Sequence, residues 1–564
     1  MLDWLSPGLV LVFGAFLLPA ARGTARQALV LGLPLVVLAL VWLVPDGPAL
    51  TIGFLDYTLT PVAGTRLGRL FATAFAVMAF VGGLFAMGQA RAVELSAAFV
   101  YAGSAICITF AGDLITLFVF WEVMAIGSTL VVWSAGTEAA YRASMRYAMV
   151  HLFGGVVLMI GVIGHIAETG SVEFAAMQAD SLARWLILVG FLVNAGAPPL
   201  SAWIPDAYPE ASPSGTVFLS AFTTKAAVYV LLVGFPGEEV LLWVGLYMIF
   251  YGIIYALLEN DMRRILAYSI VNQVGFMVAA VGIGTPMALN GSASHAFTHI
   301  IYKALLLMSA GAVLHQTGKR KCTDLGGLFQ SMPITTFCGI IGALAISSFL
   351  FTSGFISKSM IGQAAVDGQL AFVWFMLGAA SAGVFLHAGI KFPWFVFFHR
   401  DSGLRPPDPP WNMRWAMYLF AFMCIALGVY PAPLYAMLPY PVTFVPYTAE
   451  HLLFQFQLLF FSGLAFFIML PQMKRTLTIT LDFDWFYRRP LRVLGDALMV
   501  HGARARQALE DAAMEQIGRV IDTLFRYHGP TGILARTAPT RGAAVWVAVL
   551  LGVTLVIYYL HGGD

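Results

Sequence analysis

Residues 294 to 303 read Ser-His-Ala-Phe-Thr-His-Ile-Ile-Tyr-Lys, so His295, His299 and Lys303 follow one another at i, i+4 spacing. On a helix this stacks three basic groups along one face, a ladder about 12 Å long. Histidine changes charge near neutral pH and passes a proton with little driving force, so the ladder can serve as a relay. Two histidines one turn apart also suit a metal ion. No glutamate follows in an H-E-x-x-H pattern, however, and Lys303 on the same face repels a cation, so no metal is expected. Three more ionisable residues, Glu122, Lys225 and Lys358, stand deep in apolar sequence. Arg146 and Lys391 lie nearer the ends of their apolar runs, where a long stem can carry the charge to water.

These groups sit in a chain of 564 residues whose 31 basic and 29 acidic side chains leave a net charge of +2, with 60% apolar and only 11% charged residues. Soluble domains run at about 45 to 50% apolar and about 25% charged. Too few charges remain to clothe a water-facing surface, and the chain belongs in a bilayer. A charge at mid-bilayer costs about 2.5 to 3.5 kcal/mol on insertion scales, so four such residues cost on the order of 10 kcal/mol, as much as the net stability of many domains. They are not decoration. The four cysteines, at 107, 322, 338 and 424, form no C-x-x-C pair, so neither a cluster nor a zinc site has a ligand set and no cofactor is expected. A phosphate-binding loop and a nucleophile with a base at suitable spacing are also missing, which argues against an embedded hydrolase or transferase. Nothing points to nucleic acid.

A helix needs about 20 apolar residues to cross, and sixteen such runs can be drawn, at 6–21, 28–45, 69–89, 92–111, 113–134, 143–167, 184–200, 214–236, 239–258, 264–284, 288–315, 333–367, 370–398, 412–438, 451–471 and 542–560. The first reads as a span and not a secretory signal, because Asp3 stands where a basic cluster would be. Basic residues follow the odd-numbered spans: Arg22 and Arg26, Arg91, Arg142 and Arg146, Arg263 and Arg264, Lys319 to Lys321, Arg400 and Arg405. The positive-inside rule therefore places the N-terminus outside. Asp206 and Glu210 break the pattern, and Arg66 and Arg69 fall on an outside edge. Span 7 is interrupted at Gly196-Ala197-Pro198-Pro199 and span 12 near Ser353-Gly354. Backbone groups freed at such breaks must line a polar cavity. Their equal offset predicts two inverted five-helix repeats, spans 4–8 and 9–13. The expected fold is thus an all-α polytopic membrane protein with broken helices 7 and 12. It divides into a core of residues 1–472, a charged segment 473–541 with an amphipathic helix from Leu491 to Gly529 along the cytoplasmic surface or a partner, and a last span in 542–564.

Residues 112–122 (GDLITLFVFWE), 203–209 (WIPDAYP), 224–229 (TKAAVY), 261–269 (DMRRILAYS), the ladder, and 353–358 (SGFISK) together resemble the proton-translocating antiporter-like membrane subunits shared by complex I, membrane-bound hydrogenases and Mrp-type multisubunit cation/proton antiporters. With Gly389 to Pro393 in span 13, the whole chain is most similar to the D-type subunits of the Mrp antiporters. The resemblance implies a fourteen-helix core with two half-channels and a central polar axis, in which Glu122 switches with a neighbour, Lys225 and the histidine ladder connect the halves, and Lys358 carries the proton at the exit side. It also implies partner subunits, exchange of protons for sodium, and a bacterial inner membrane. Proton-pumping subunits of a dehydrogenase or hydrogenase, and a non-conducting scaffold, remain as alternatives. One departure matters: the lysine that the family usually places in span 7 opposite the span 5 glutamate is Asn194 here, so Glu122 lacks that cation. Ser201 likewise replaces a common histidine, and Leu350-Phe351 a common proline pair.

Overall fold

The computed structural model describes residues 5–471, 481–537 and 539–562, so the expected boundary at 472/473 lies outside the described residues. The chain forms two compact units, Met1–Asp484 and Trp485–Asp564. Among the described residues thirteen helices are long and apolar enough to cross a membrane, and the shorter apolar helices Leu182–Ala195 and Pro333–Ile346 open spans 7 and 12. This is a multi-pass, mostly helical membrane protein. The first expected span is shorter than its apolar run: its helix covers only Pro7–Ala15, about 14 Å at 1.5 Å per residue and half a hydrocarbon thickness. Pro19 lacks the amide hydrogen that would extend the helix and disfavours helical backbone at Leu18.

One element departs from the all-helical expectation. Strands β1 (Gly47–Phe54) and β2 (Tyr57–Gly64) pair antiparallel from Gly47 opposite Gly64 to Phe54 opposite Tyr57. Thr58, Thr60 and Val62 supply β-branched residues at alternate positions, and Leu55-Asp56 closes a two-residue turn with Leu55 at φ +52°. The hairpin braces the start of span 5 (Leu114–Trp133). Gly112 donates to the Thr60 carbonyl at 2.9 Å, and the Asp113 carboxylate accepts from Thr60 N at 2.8 Å and caps Thr116 N at 2.7 Å.

Spans 6 and 11 are built alike. Each is 32 residues, Glu138–Thr169 and Pro286–Thr317; each opens on a threonine cap, Thr137 or Thr285, and closes on a left-handed glycine, Gly170 or Gly318. After each, the chain bridges back to the start of the preceding span. Leu114 N meets Val172 O at 2.8 Å and Phe174 N meets Gly112 O at 3.0 Å; Met262 N meets Arg320 O at 2.9 Å and Cys322 N meets Asn260 O at 2.8 Å. Every member of the second set lies 148 residues after its counterpart, as Asp261 after Asp113 and Lys321 after Glu173.

Span 7 breaks after Ala195, where Gly196 at φ +79° ends the helix and the chain restarts at Trp203–Ala207. Span 12 breaks between Ile346 and Ser353. Two further interruptions follow, and of these only the one in span 13 has a proline, Pro393, within it. Span 8 stops at Leu219 and resumes at Thr223–Gly234, and span 13 leaves the α-helix Ala371–Val384 for wider π-helical turns at Phe385–Lys391 and Trp394–Phe398. The acidic residues that broke the charge pattern are neutralised in place. Asp206 takes both arms of Arg146 at 2.7 and 2.9 Å, and Glu210 takes Arg320 at 2.9 Å. Arg69 is likewise held, by Asp46 at 2.7 Å.

The second unit contains a 39-residue helix Pro490–His528 and the apolar helix Thr540–His561. The long helix opens on its proline, ends before Gly529, and carries the i,i+4 ion pairs Arg506–Glu510 and Glu515–Arg519 on its exposed surface.

Beside the span 7 break, buried Arg263 donates to the carbonyls of Pro209 (2.7 Å), Ala211 (2.8 Å) and Ser212 (2.9 Å) and to the Thr216 hydroxyl. Arg263→Ala strands these acceptors and should destabilise the protein by on the order of 3 kcal/mol, read as a lower unfolding midpoint in detergent. Arg263→Lys, with one point donor for a planar fork, should recover only part of the loss.

Candidate functional site

The ionisable residues of the spans line up through the first unit. Glu122 sits halfway along span 5 and is half-buried, with Oε1 enclosed and without a hydrogen-bond partner among the described residues. Its carboxyl lies against the backbone of span 6 at Gly155, where a Cβ would stand 2.0 Å from Oε1. A side chain at 155 would push the carboxyl out of this place. One turn earlier on the same face, His151 is fully enclosed; its Nδ1 meets Asn194 Oδ1 at 2.8 Å and its ring packs on Tyr147 and Trp203 at centroid distances of 4.0 and 4.6 Å. Asn194 therefore pairs with His151, and its amide nitrogen has no partner among the described residues.

Hydroxyls continue the line. Tyr147 reaches Ser128 at 3.0 Å and Thr223 at 3.4 Å, and Thr223 meets Tyr101 at 2.7 Å. Thr223 opens the second half of broken span 8, two residues before Lys225. Lys225 is wholly buried and donates to Ser220 O at 2.6 Å, a carbonyl freed by the break, and to Thr224 Oγ1 at 3.1 Å. Beyond it stand His299 and Lys303, both fully buried. Neither imidazole nitrogen nor the Lys303 Nζ has a hydrogen-bond partner among the described residues. His299 lies within electrostatic reach of Lys225, Lys303 and Lys358.

The far half is better tied. His295 Nδ1 meets Ser357 Oγ at 2.9 Å and Nε2 meets Tyr302 Oη at 3.3 Å, while Tyr302 donates to Gln273 Oε1 at 3.0 Å. Lys358, one residue past Ser357 in the second piece of span 12, donates to Ile346 O at 2.8 Å and lies 4.9 Å from the centre of the Phe276 ring. Ile346 is the last residue of the first piece, so Lys358, like Lys225, meets a carbonyl that its own broken span leaves free. A lysine amine donates whether charged or neutral, so both bonds can outlast a change of protonation.

The two side chains nearer span ends have other work. Lys391 donates to the carbonyls of Ala256 (3.1 Å), Leu257 (2.6 Å) and Glu259 (2.6 Å), closing the end of span 9. Arg146 does not reach out to water but locks span 6 to the restarted span 7 through Asp206. Sequence reasoning missed His151. Its signal was the repeated frame of Thr137 with Gly170 and Thr285 with Gly318, which sets His151 against His299 and Gly155 against Lys303.

Broken spans, carbonyl-held lysines and an enclosed histidine ladder make this a polytopic membrane protein with buried ionisable groups along its spans. A family profile described as "NADH:quinone oxidoreductase/Mrp antiporter, TM" matches residues 111–384 of the chain. The chain is similar to a probable K(+)/H(+) antiporter A/B subunit of Rhizobium meliloti, 29% identical over 59% of this chain and 36% of that protein. It is also similar to the Na(+)/H(+) antiporter D subunit of Alkalihalophilus pseudofirmus, 29% identical over 62% of this chain and 77% of that protein. The match thus spans about a third of the first relative's length. Two solved structures share the fold. A chain of the Mrp complex from Dietzia sp. DQ12-45-1b gives a TM-score of 0.66 at 22% identity, over 77% of this chain and 95% of that one. A chain of the membrane-bound sulfane sulfur reductase, an archaeal respiratory membrane complex, gives 0.71 at 23% identity, over 98% and 100%.

An unpaired buried amine is costly, and a well-packed apolar side chain of similar volume is often neutral or stabilising by about 1 to 4 kcal/mol at such a site. Lys303→Met should accordingly leave the unfolding midpoint unchanged or raise it. A clear fall would mean that the amine has a structural partner.

Proposed function

We propose that this chain is a proton-conducting membrane subunit of a multisubunit sodium/proton antiporter, a transporter component and not an enzyme, set in a bacterial inner membrane with its N-terminus outside and assembled with other antiporter subunits. The carrying observation is the pair His299 and Lys303, enclosed and unpartnered between two lysines that rest on carbonyls of broken helices. A buried basic group with no partner is retained at such cost where it must take and release a proton. In this account Glu122 loads at the edge of the first half, hydroxyls of Tyr147, Thr223 and Thr224 lead to Lys225, His299 and Lys303 connect the halves, and His295 with Ser357 hands the proton to Lys358. Spans 4–8 and 9–13 act as two inverted repeats. The common 148-residue offset and the interruptions of spans 7 with 12 and 8 with 13 support that division.

The relatives' names favour sodium or potassium as the exchanged cation. The fold shared over 98% of the chain with a respiratory membrane complex favours a second reading, a proton-translocating subunit driven by a redox partner. Proton flux in vesicles containing the purified complex, with and without sodium, separates the two. Sodium-dependent alkalinisation without an electron donor supports the antiporter, and flux that needs a donor supports the respiratory reading. No proton flux under either condition would leave a scaffold.

Within the assembled complex Glu122→Gln removes the titratable group and keeps its shape. It should abolish or strongly reduce exchange, and wild-type exchange would contradict the role given to Glu122. Lys303→Met and Lys358→Ala should each impair exchange. Lys391→Ala should act mainly on stability, since its amine serves three carbonyls at the end of span 9, and a loss of flux without a loss of stability would return Lys391 to the path.

A further inference from the structure

We infer that His151 is the proton-accepting base that serves Glu122 in the first half of the axis, in place of a cation at position 194. This rests on the proton-conducting reading above and names the residue that completes it.

Four observations converge on His151. It is enclosed, and its Nδ1 is fixed by Asn194 Oδ1 at 2.8 Å while Nε2 has no partner among the described residues. With the amide oxygen as acceptor, Nδ1 carries the hydrogen and Nε2 keeps a free lone pair. The ring is also oriented by the Tyr147 and Trp203 rings, at 4.0 and 4.6 Å. Next, Gly155 lies one turn along the same face, and the Glu122 carboxyl rests on it. About 6 Å of helix rise separates the two positions, a gap that one water molecule or a turn of the Glu122 side chain bridges. Finally, the frame shared by spans 6 and 11 makes Tyr147, His151 and Gly155 the counterparts of His295, His299 and Lys303. The first half thus has the same ladder with its last rung left empty by glycine, and span 5 fills that place with a carboxyl group.

The protonated Glu122 carboxyl gives its proton to His151 Nε2, leaving a carboxylate and an imidazolium. The proton then departs toward Tyr147 and Thr223, and the neutral ring returns. Asn194 Oδ1 accepts from Nδ1–H in both states, so the ring need not move. The groups packed against His151 are Tyr147 from its own helix and Asn194 and Trp203 from span 7, and the nearest carboxyl placed along its helix is that of Glu122, at Gly155 one turn on. The nearby Arg146 guanidinium is occupied by Asp206. An amide at 194 is thereby suited to its place: it holds the imidazole without adding a second positive charge beside it.

The test uses the whole complex, reconstituted, carrying His151→Gln, Asn194→Asp or both. His151→Gln should lower exchange about tenfold or more, the scale of a lost acid–base group. Asn194→Asp sets a carboxylate against the imidazole and favours its protonated form, so the pH profile of exchange should move to the alkaline side by about one unit. In the double variant that displacement should vanish. A displacement that persists without His151, or an unchanged rate and pH profile in assembled His151→Gln, overturns the inference. Infrared difference spectra between two pH values supply a readout independent of sodium exchange. A histidine protonation band present in the wild type should be missing from His151→Gln, and an identical band in both would overturn it. Where the band behaves as expected but the wild-type complex moves no protons, the transport reading fails and the titrating His151 stands.

Discussion

Backbone carbonyls that lose their helical partners inside a membrane protein have no water to turn to, and each must meet a donor from the protein itself. That requirement organises this molecule. Where span 8 stops, Ser220 O receives Lys225; where span 12 stops, Ile346 O receives Lys358; where span 9 ends, three carbonyls share Lys391; beside the restarted span 7, Arg263 collects three more. The breaks and the buried cations therefore need one another. A straight helix would leave the lysines without acceptors, and an apolar residue at 225 or 358 would leave a carbonyl bare.

Between these held lysines the balance is different. His299 and Lys303 have no such bond among the described residues, and for His299 only ring packing, edge-on against Tyr302 at 5.2 Å, accompanies its burial. A proton carrier explains that cost, because a group that must be charged in one state and neutral in another cannot be locked to an ionic partner in either. The first half solves the same problem with other side chains. Glycine at 155 lets a carboxyl from span 5 enter the position that Lys303 occupies in span 11, and the hydrogen-bonded pair of His151 and Asn194 lies one turn along the same helix.

Much of this was legible in the residues alone. Glu122, Lys225, Lys358 and the i,i+4 ladder stood out because charge is rare in apolar runs, and the span 7 break announced itself in Gly196 and Pro198-Pro199. Other features gave weaker signals. The span 8 interruption falls on Ser220, Ala221 and Phe222, residues a helix accepts, and it exists because tertiary contacts hold Lys225 against the freed carbonyl. The β1–β2 hairpin was hidden in a short connection between spans, where alternation over eight residues competes with a strong hydropathy signal on both sides. His151 is a single histidine in an otherwise apolar helix, and only its register against His299 and its contact with Asn194 distinguish it. Asp206 and Glu210 looked like exceptions to charge sidedness because their partners, Arg146 and Arg320, are distant in sequence.

The central claim is that the middle of the axis needs a group able to release its proton and not merely a positive charge. Lys303→Arg keeps the charge, while guanidinium does not deprotonate in proteins. Proton flux through the assembled, reconstituted complex carrying Lys303→Arg should therefore be lost, with the complex intact. Flux at the wild-type rate would show that position 303 contributes an electrostatic field alone, and the proton path drawn through His299 and Lys303 would be wrong.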